Sequence, residues 1–161
     1  MTLRGGLIVA GIMCVAAMQA SVATRAAAPI MVKDDDLVPY TILDTAIPRS
    51  LTGADGDAAA GAKIVVDRGL GNCMSCHGVG MPQEPFPGNV GPDLAGVGSR
   101  LNAGELRLRL VDPKRLNEAT SMPAFYKVDG LNRVASRYAG KPILTAAEIE
   151  DVIAYLLTLR Q

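Results

Sequence analysis

Histidine is almost absent from this 161-residue chain, which holds one, His77, and aromatic residues make up only 4% of it. A single histidine excludes sites built on two, among them HExxH zinc proteases and C2H2 zinc fingers. Neither sign of charge is in excess: 16 basic side chains face 16 acidic ones. That balance excludes a strongly basic nucleic-acid footprint and a long acidic tail, so no nucleic-acid partner is expected. Cysteine is scarce as well, with Cys14, Cys73 and Cys76 only. No internal repeat is visible, and the length is that of one domain at roughly 150 residues per domain.

What is present begins with an export pattern. Arg4 precedes an apolar run from Gly5 to Ala20, no further charge occurs until Arg25, and small residues follow at Ser21-Val22-Ala23. A basic start, an apolar stretch and a small-x-small end form a secretory signal peptide over residues 1–23, with a second cleavage candidate at Ala26-Ala27-Ala28. The alternative is an uncleaved anchor, which would need about 20 apolar residues; the glycines, Gln19 and the serine-threonine end weaken it. Cys14 follows Met13 rather than a small residue, which argues against a lipid-anchored cysteine. Cleavage would leave a periplasmic chain with no membrane segment, and Cys73 and Cys76 as its only cysteines.

Those two cysteines lie in Cys73-Met74-Ser75-Cys76-His77, the C-x-x-C-H signature of covalent c-type haem attachment. Two thiols three positions apart can each add to one vinyl group along a porphyrin edge. The next residue, an imidazole, then falls beneath the iron as proximal ligand. Two readings compete. A thioredoxin-type redox pair needs a βαβ setting, and no strand pattern precedes Cys73. A zinc site needs a fourth protein ligand, and no further cysteine or histidine follows the signal segment. One covalently bound haem c is the favoured cofactor.

Its sixth iron position then needs a ligand, and one histidine excludes bis-histidine ligation within the chain. Methionine is the usual partner in cytochromes c, and Met31, Met74, Met81 and Met122 follow the signal segment. Met74 is inside the attachment loop, on the wrong side of the porphyrin. Met81 follows His77 too closely to wrap round its edge, and Met31 lies in a poorly patterned stretch. Met122 remains, in Ser121-Met122-Pro123, where the proline favours an extended backbone. Filling the core is the alternative use of this methionine.

The surroundings predict an all-α haem domain over residues 55–161. Residues 57–70 open on Asp57 as N-cap, carry Ile64 and Val65 on an apolar face, and stop at Gly69 and Gly71. From Gly78 to Ser99, ten of 22 positions are Gly or Pro, without periodicity. So long a loop is suspect in a compact domain unless it wraps a haem. Asn102 to Glu105 form a capped start, Leu106, Leu110 and Val111 line one face, and Pro113 ends the helix. Thr145 to Glu148 form a capping box, followed by Ile149, Val152, Ile153, Leu156 and Leu159 at helical spacing. Residues 24–54, with Asp34-Asp35-Asp36 and three prolines, read as an N-terminal extension outside that domain, disordered or laid along a partner. Residues 100–141 hold nine basic side chains (Arg100, Arg107, Arg109, Lys114, Arg115, Lys127, Arg133, Arg137, Lys141) against four acidic ones. They form either a solvated face or a positive rim that steers an acidic partner.

Cys73–His77, the Gly91-Pro92-Asp93-Leu94 turn, Met122-Pro123 and the closing Glu148–Leu159 helix resemble class I cytochromes c. More narrowly, Asp67-Arg68-Gly69-Leu70-Gly71-Asn72, Gly91–Arg100, Gly104-Glu105-Leu106-Arg107 and Lys141-Pro142-Ile143-Leu144-Thr145 resemble the SoxX subunits of bacterial thiosulfate-oxidising systems, over about residues 50–160. The resemblance implies a class I cytochrome c-like small helical haem domain and a SoxA-type haem subunit as partner. The pair would act as an L-cysteine S-thiosulfotransferase, coupling thiosulfate oxidatively to a cysteine of a carrier protein. With the catalytic centre in the partner, this chain would pass the electrons to a downstream acceptor. The resemblance also implies Cys73 and Cys76 as haem attachment sites and His77 and Met122 as axial ligands. Pro92 resembles the proline whose carbonyl accepts a hydrogen bond from the proximal histidine; a plain turn residue is the other reading. The wider class commonly pairs a glycine with an aromatic on the first helix; here Gly61 is followed by Val65, so that contact must differ. A free-standing periplasmic monohaem cytochrome c is the runner-up, and a thiol oxidoreductase using Cys73 and Cys76 a weaker third.

Overall fold

The computed structural model describes residues 28–32, 37–81 and 86–160. The proposed signal peptide, Cys14 and the Asp34–Asp36 run lie outside the described residues. Four helices make up the frame: α1 (Ala58–Val66), α2 (Val97–Arg100), α3 (Ala103–Val111) and α4 (Ala146–Thr158). The only strands among the described residues are β1 (Ile30–Val32) and β2 (Tyr40–Ile42), paired antiparallel with Ile30 opposite Ile42. The fold is thus of the all-α class expected, with one short ribbon added. No helix among the described residues is long and apolar enough to cross a membrane.

Helix starts follow the local signals. The Asp57 carboxylate accepts the N–H groups of Ala59 and Ala60, satisfying two of the unpaired donors of α1. Reciprocal capping boxes open the other two long helices, Asn102 with Glu105 on α3 and Thr145 with Glu148 on α4. One stop differs from expectation. α1 ends at Val66, ahead of Gly69 and Gly71, because Asp67 turns the chain by itself. Its side chain accepts the Gly69 N–H at 2.6 Å, and its carbonyl accepts from Leu70 and Asn72. This local turn competes successfully with another helical turn.

α4 is the central element, packing against α1, α2 and α3. Ile149, Val152, Ile153 and Leu156 turn inward at helical spacing to meet Ile64, Val65, Leu108 and Val111. Gly61 lies against α4 so closely that a Cβ would collide with the Asp151 carbonyl. The contact expected to differ at Val65 is therefore a glycine-to-backbone approach, with Tyr155 of α4 beside it.

The stretch read as an extension behaves differently from its pattern. From Tyr40 onward it joins the common core, contributing Tyr40, Ile42, Ile47 and Leu51. Ile47 donates its N–H to the Gly104 carbonyl, and Val38 donates to the Tyr126 hydroxyl. Polar contacts complete the anchoring. Arg107 of α3 meets Glu150 of α4 in a two-point ion pair (Nε and Nη2, each 2.7 Å), with both side chains about 4% exposed. Its Nη1 donates to Ile47 O at 2.6 Å, and Glu150 Oε1 also accepts the Leu51 N–H at 2.9 Å.

Removing one member of a buried pair strands the other charge, at a cost of about 3–5 kcal/mol. Glu150→Ala should therefore lower the denaturation midpoint sharply in equilibrium unfolding. The double variant Arg107→Met/Glu150→Leu should recover much of that loss, whereas equal losses in both would show that the ion pair is not what the site depends on.

Candidate functional site

The C-x-x-C-H segment is shaped by its own backbone. Asn72 enters it in the left-handed region at φ 48°, a conformation that asparagine tolerates better than most residues. Cys73–Ser75 then form one 3-10 turn. The N–H groups of Cys76 and His77 both donate to the Cys73 carbonyl, at 3.1 and 3.0 Å. This tight turn brings both sulfurs and the imidazole to one cleft of about 770 Å³. Leu70, Leu94, Val97, Leu106, Leu110 and Phe125 supply much of its apolar lining.

The glycine- and proline-rich loop is held by main-chain hydrogen bonds to the attachment segment. Gly88 donates to Met74 O at 2.7 Å, Gly91 to Cys76 O at 2.8 Å and Leu94 to Gly78 O at 2.8 Å. Its end, expected to be loop, forms the short helix α2, entered through Gly96 at φ 68° and tied to Leu159 O by the Gly98 N–H. This arrangement seats His77. The imidazole ring occupies the space where a Cβ on Gly91 would lie, so only glycine permits the approach. His77 Nδ1 lies 2.6 Å from the Pro92 carbonyl oxygen. A carbonyl can only accept, so Nδ1 carries the hydrogen and Nε2 keeps its lone pair for a metal.

Met122 reaches the same cleft from the segment after α3. That segment is fastened by the Met122 N–H to Thr120 Oγ1 at 3.2 Å and by the Phe125 N–H to Leu110 O at 2.9 Å. The other three candidate methionines do not line the cleft. Met74 and Met81 pack against the core, and Met31 stands 67% exposed on β1, accepting the Thr41 hydroxyl. All five residues singled out from the sequence, Cys73, Cys76, His77, Pro92 and Met122, therefore border one cavity.

Charge around the cleft is uneven. Among the described residues, Arg68, Arg100, Arg109 and Arg137 line it, against a single carboxylate, Asp93. The basic array read from residues 100–141 is less uniform than its sequence. Arg107 is neutralised inside the core, and Lys127 and Arg115 face the buried Asp112 at 2.6 and 3.7 Å. Tyr138 closes one end of the cleft through its hydroxyl, which donates to Gly69 O at 2.9 Å. Neither that latch nor the Gly91 seat was read from the sequence, because each depends on residues distant in the chain.

The donor set suits a covalently held haem. Two thiols, an imidazole with one free nitrogen and a thioether converge on an apolar cleft of cofactor size. Two competing chemistries suit it less well. Burial pushes the Cys73 thiol up to about 11, the opposite of the low-pKa thiolate a redox cysteine needs. Among the described residues no three His, Cys, Asp or Glu side chains group as a metal site.

The cytochrome c family model matches residues 58–160. A chain in the crystal structure of SoxXA from P. pantotrophus is 42% identical, with a TM-score of 0.70, over 76% of this chain and 95% of that one. The comparison with curated proteins gives no match. With its family model spanning most of the chain and its site built for a covalent haem c, this protein belongs to the cytochrome c family, as an electron-transfer cytochrome of the SoxX type.

Proposed function

We propose that this cytochrome is the electron-accepting subunit of a periplasmic sulfur-oxidising complex, paired with a SoxA-type haem subunit. One observation carries the reading: a single cleft gathers Cys73, Cys76, His77 and Met122, which leaves residues 24–161 no other thiol or imidazole for chemistry. When bound, haem c supplies a one-electron couple. Cys73 and Cys76 would hold it through thioethers, and His77 Nε2 would ligate its iron. The Pro92 carbonyl holds Nδ1–H, which orients the ring and increases the basicity of Nε2. Met122 would offer its thioether as a second ligand to the iron, leaving no open position there for water or substrate.

Oxidative coupling of thiosulfate to a carrier cysteine needs an activated nucleophile or an open metal position. Both cysteines and the one imidazole of this site are engaged in holding the haem. The sulfur chemistry is accordingly assigned to the partner, and this chain receives the electrons and passes them to a downstream acceptor. Its similarity to a chain of the SoxXA crystal structure supports pairing with a SoxA-type subunit. Residues 1–23 act as the export signal in this scheme.

Spectroscopy tests the ligand set. The oxidised protein should show a sulfur-to-iron charge-transfer band, and Met122→Ala should lose it while the haem stays covalently attached. Persistence of the band in that variant would remove Met122 from the iron. Purified alone, the chain should cycle electrons yet leave thiosulfate unconverted with carrier thiol and acceptor supplied. Conversion should appear when the partner is added; turnover by the chain alone, or purification from the periplasm without a haem-protein partner, would favour a different role. Electron transfer to the acceptor, followed by stopped flow, should slow with added salt if the cleft arginines steer an acidic partner. Rates indifferent to salt would dismiss that steering.

A further inference from the structure

The segment that carries Met122 is held from outside the cleft it serves. It leaves α3 at Asp112 and returns at Lys127, 15 residues on, where Lys127 Nζ donates to Asp112 Oδ2 at 2.6 Å. The Asp112 side chain is 5% exposed and that of Lys127 30%, so water competes weakly for the contact. Neither residue borders the cleft, and each charge is answered within the chain itself. Arg115 approaches the same oxygen at 3.7 Å, too long for a hydrogen bond, and is exposed. Beyond one short turn at Pro113–Arg115, no helix or strand supports the segment. Polar contacts shape it instead. Lys114 Nζ donates to the carbonyls of Glu118 and Thr120, at 2.9 and 3.1 Å, and Thr120 Oγ1 accepts the Met122 N–H.

We infer that the Asp112–Lys127 pair is a clasp that positions Met122, holding the methionine-bearing loop closed against the cleft. The inference rests on the proposal that Met122 ligates the haem iron. Closing a loop costs chain entropy, and a contact at its base offsets that cost before any contact at its tip forms. The ion pair occupies that base. A charge-assisted hydrogen bond shielded from water is among the stronger contacts two side chains can make. Phe125, two positions before Lys127, adds a backbone bond to Leu110 O, so the returning strand of the loop is tied to α3 twice. The fraction of time for which the thioether stands in the cleft then follows the closed population of the loop. Lys114 and Thr120 act within the loop and give it its shape; the clasp decides whether that shape is docked. Two lysines of the basic array over residues 100–141 therefore serve the chain that carries them.

Titration of the purified, oxidised, haem-loaded chain with imidazole is the test. Imidazole reaches the iron only while Met122 is away, so its apparent affinity scales with the open fraction of the loop. Loss of the sulfur-to-iron band during the titration reports the exchange. Lys127→Met and Asp112→Asn should each bind imidazole about tenfold more tightly than the parent, as for a tenfold larger open fraction. A band already lost before imidazole is added, with the haem retained, is the same effect at larger size. The double variant should bind imidazole no more tightly than the tighter single one, since its second change removes a contact already gone. Lys127→Arg, which keeps the charge, should stay close to the parent, as should Lys141→Met, which removes an exposed lysine outside the loop. Parent affinity in either single variant overturns the inference, as do additive gains in the double variant or an equal gain in Lys127→Arg or Lys141→Met. If one single variant fails to load haem, the other decides; loss of haem from both would make the pair a requirement of folding and overturn the proposal. A parent chain lacking covalent haem or the band would instead defeat the ligand assignment, so the two failures are distinguishable.

Discussion

The buried Arg107–Glu150 pair is the constraint on which the arrangement of this molecule depends. Withdrawing two charges from water costs several kcal/mol per ion, and that cost is offset only when the hydrogen bonding is complete. Here it is. The guanidinium donates twice to Glu150 and once to Ile47 O, and the carboxylate also takes the Leu51 N–H. No buried side-chain polar atom among the described residues lacks a partner. Such a network tolerates one geometry, so it sets α3, α4 and the chain before α1 in a single relation. α3 brings Leu106 and Leu110 to the cleft, and α4 brings Val152 and Leu156. The pair thereby determines the shape of a site that it does not touch.

Within that frame the cleft is organised from the backbone as much as from side chains. The loop over residues 86–96 has few apolar groups to bury, and main-chain hydrogen bonds to the Cys73–Gly78 segment hold it instead. The consequence is local rigidity where the chemistry needs it. His77 is fixed by a glycine that admits its ring and by a proline carbonyl that fixes its tautomer. Electron exchange asks for a stable ligand set more than for moving parts, and every candidate ligand here is tied to a neighbouring element.

Charge follows the same logic. Arg107 and Arg109 are two residues apart on one helix, and about 200° of helical rotation separates them. One turns into the core and meets a carboxylate; the other turns toward the cleft and, among the described residues, meets none. Counting basic residues along the segment treats them as equals. Only their directions separate a cation paired inside the core from one that borders the cleft.

Features governed by near neighbours could be read from the sequence alone. The capping boxes of α3 and α4, the inward face of α4 and the C-x-x-C-H spacing all involve residues within a few positions of each other. Met122 was reached by elimination among four methionines, a matter of counting. Where the reading departed from the structure, a competing contact was responsible. Asp67 ended α1 before the glycines did, and Gly96 and Gly98 carry a short helix through a stretch that had no helical pattern. Residues 38–51 showed no periodicity because their burial is imposed by Arg107, Glu150, Gly104 and Tyr126, which lie more than 50 residues away in the chain. The sequence by itself determined the chemistry of attachment, since covalent geometry limits which residues can flank a porphyrin edge. Tertiary structure decided which methionine, which arginines and which glycine border the cleft, because burial and direction arise only when distant segments exclude water together.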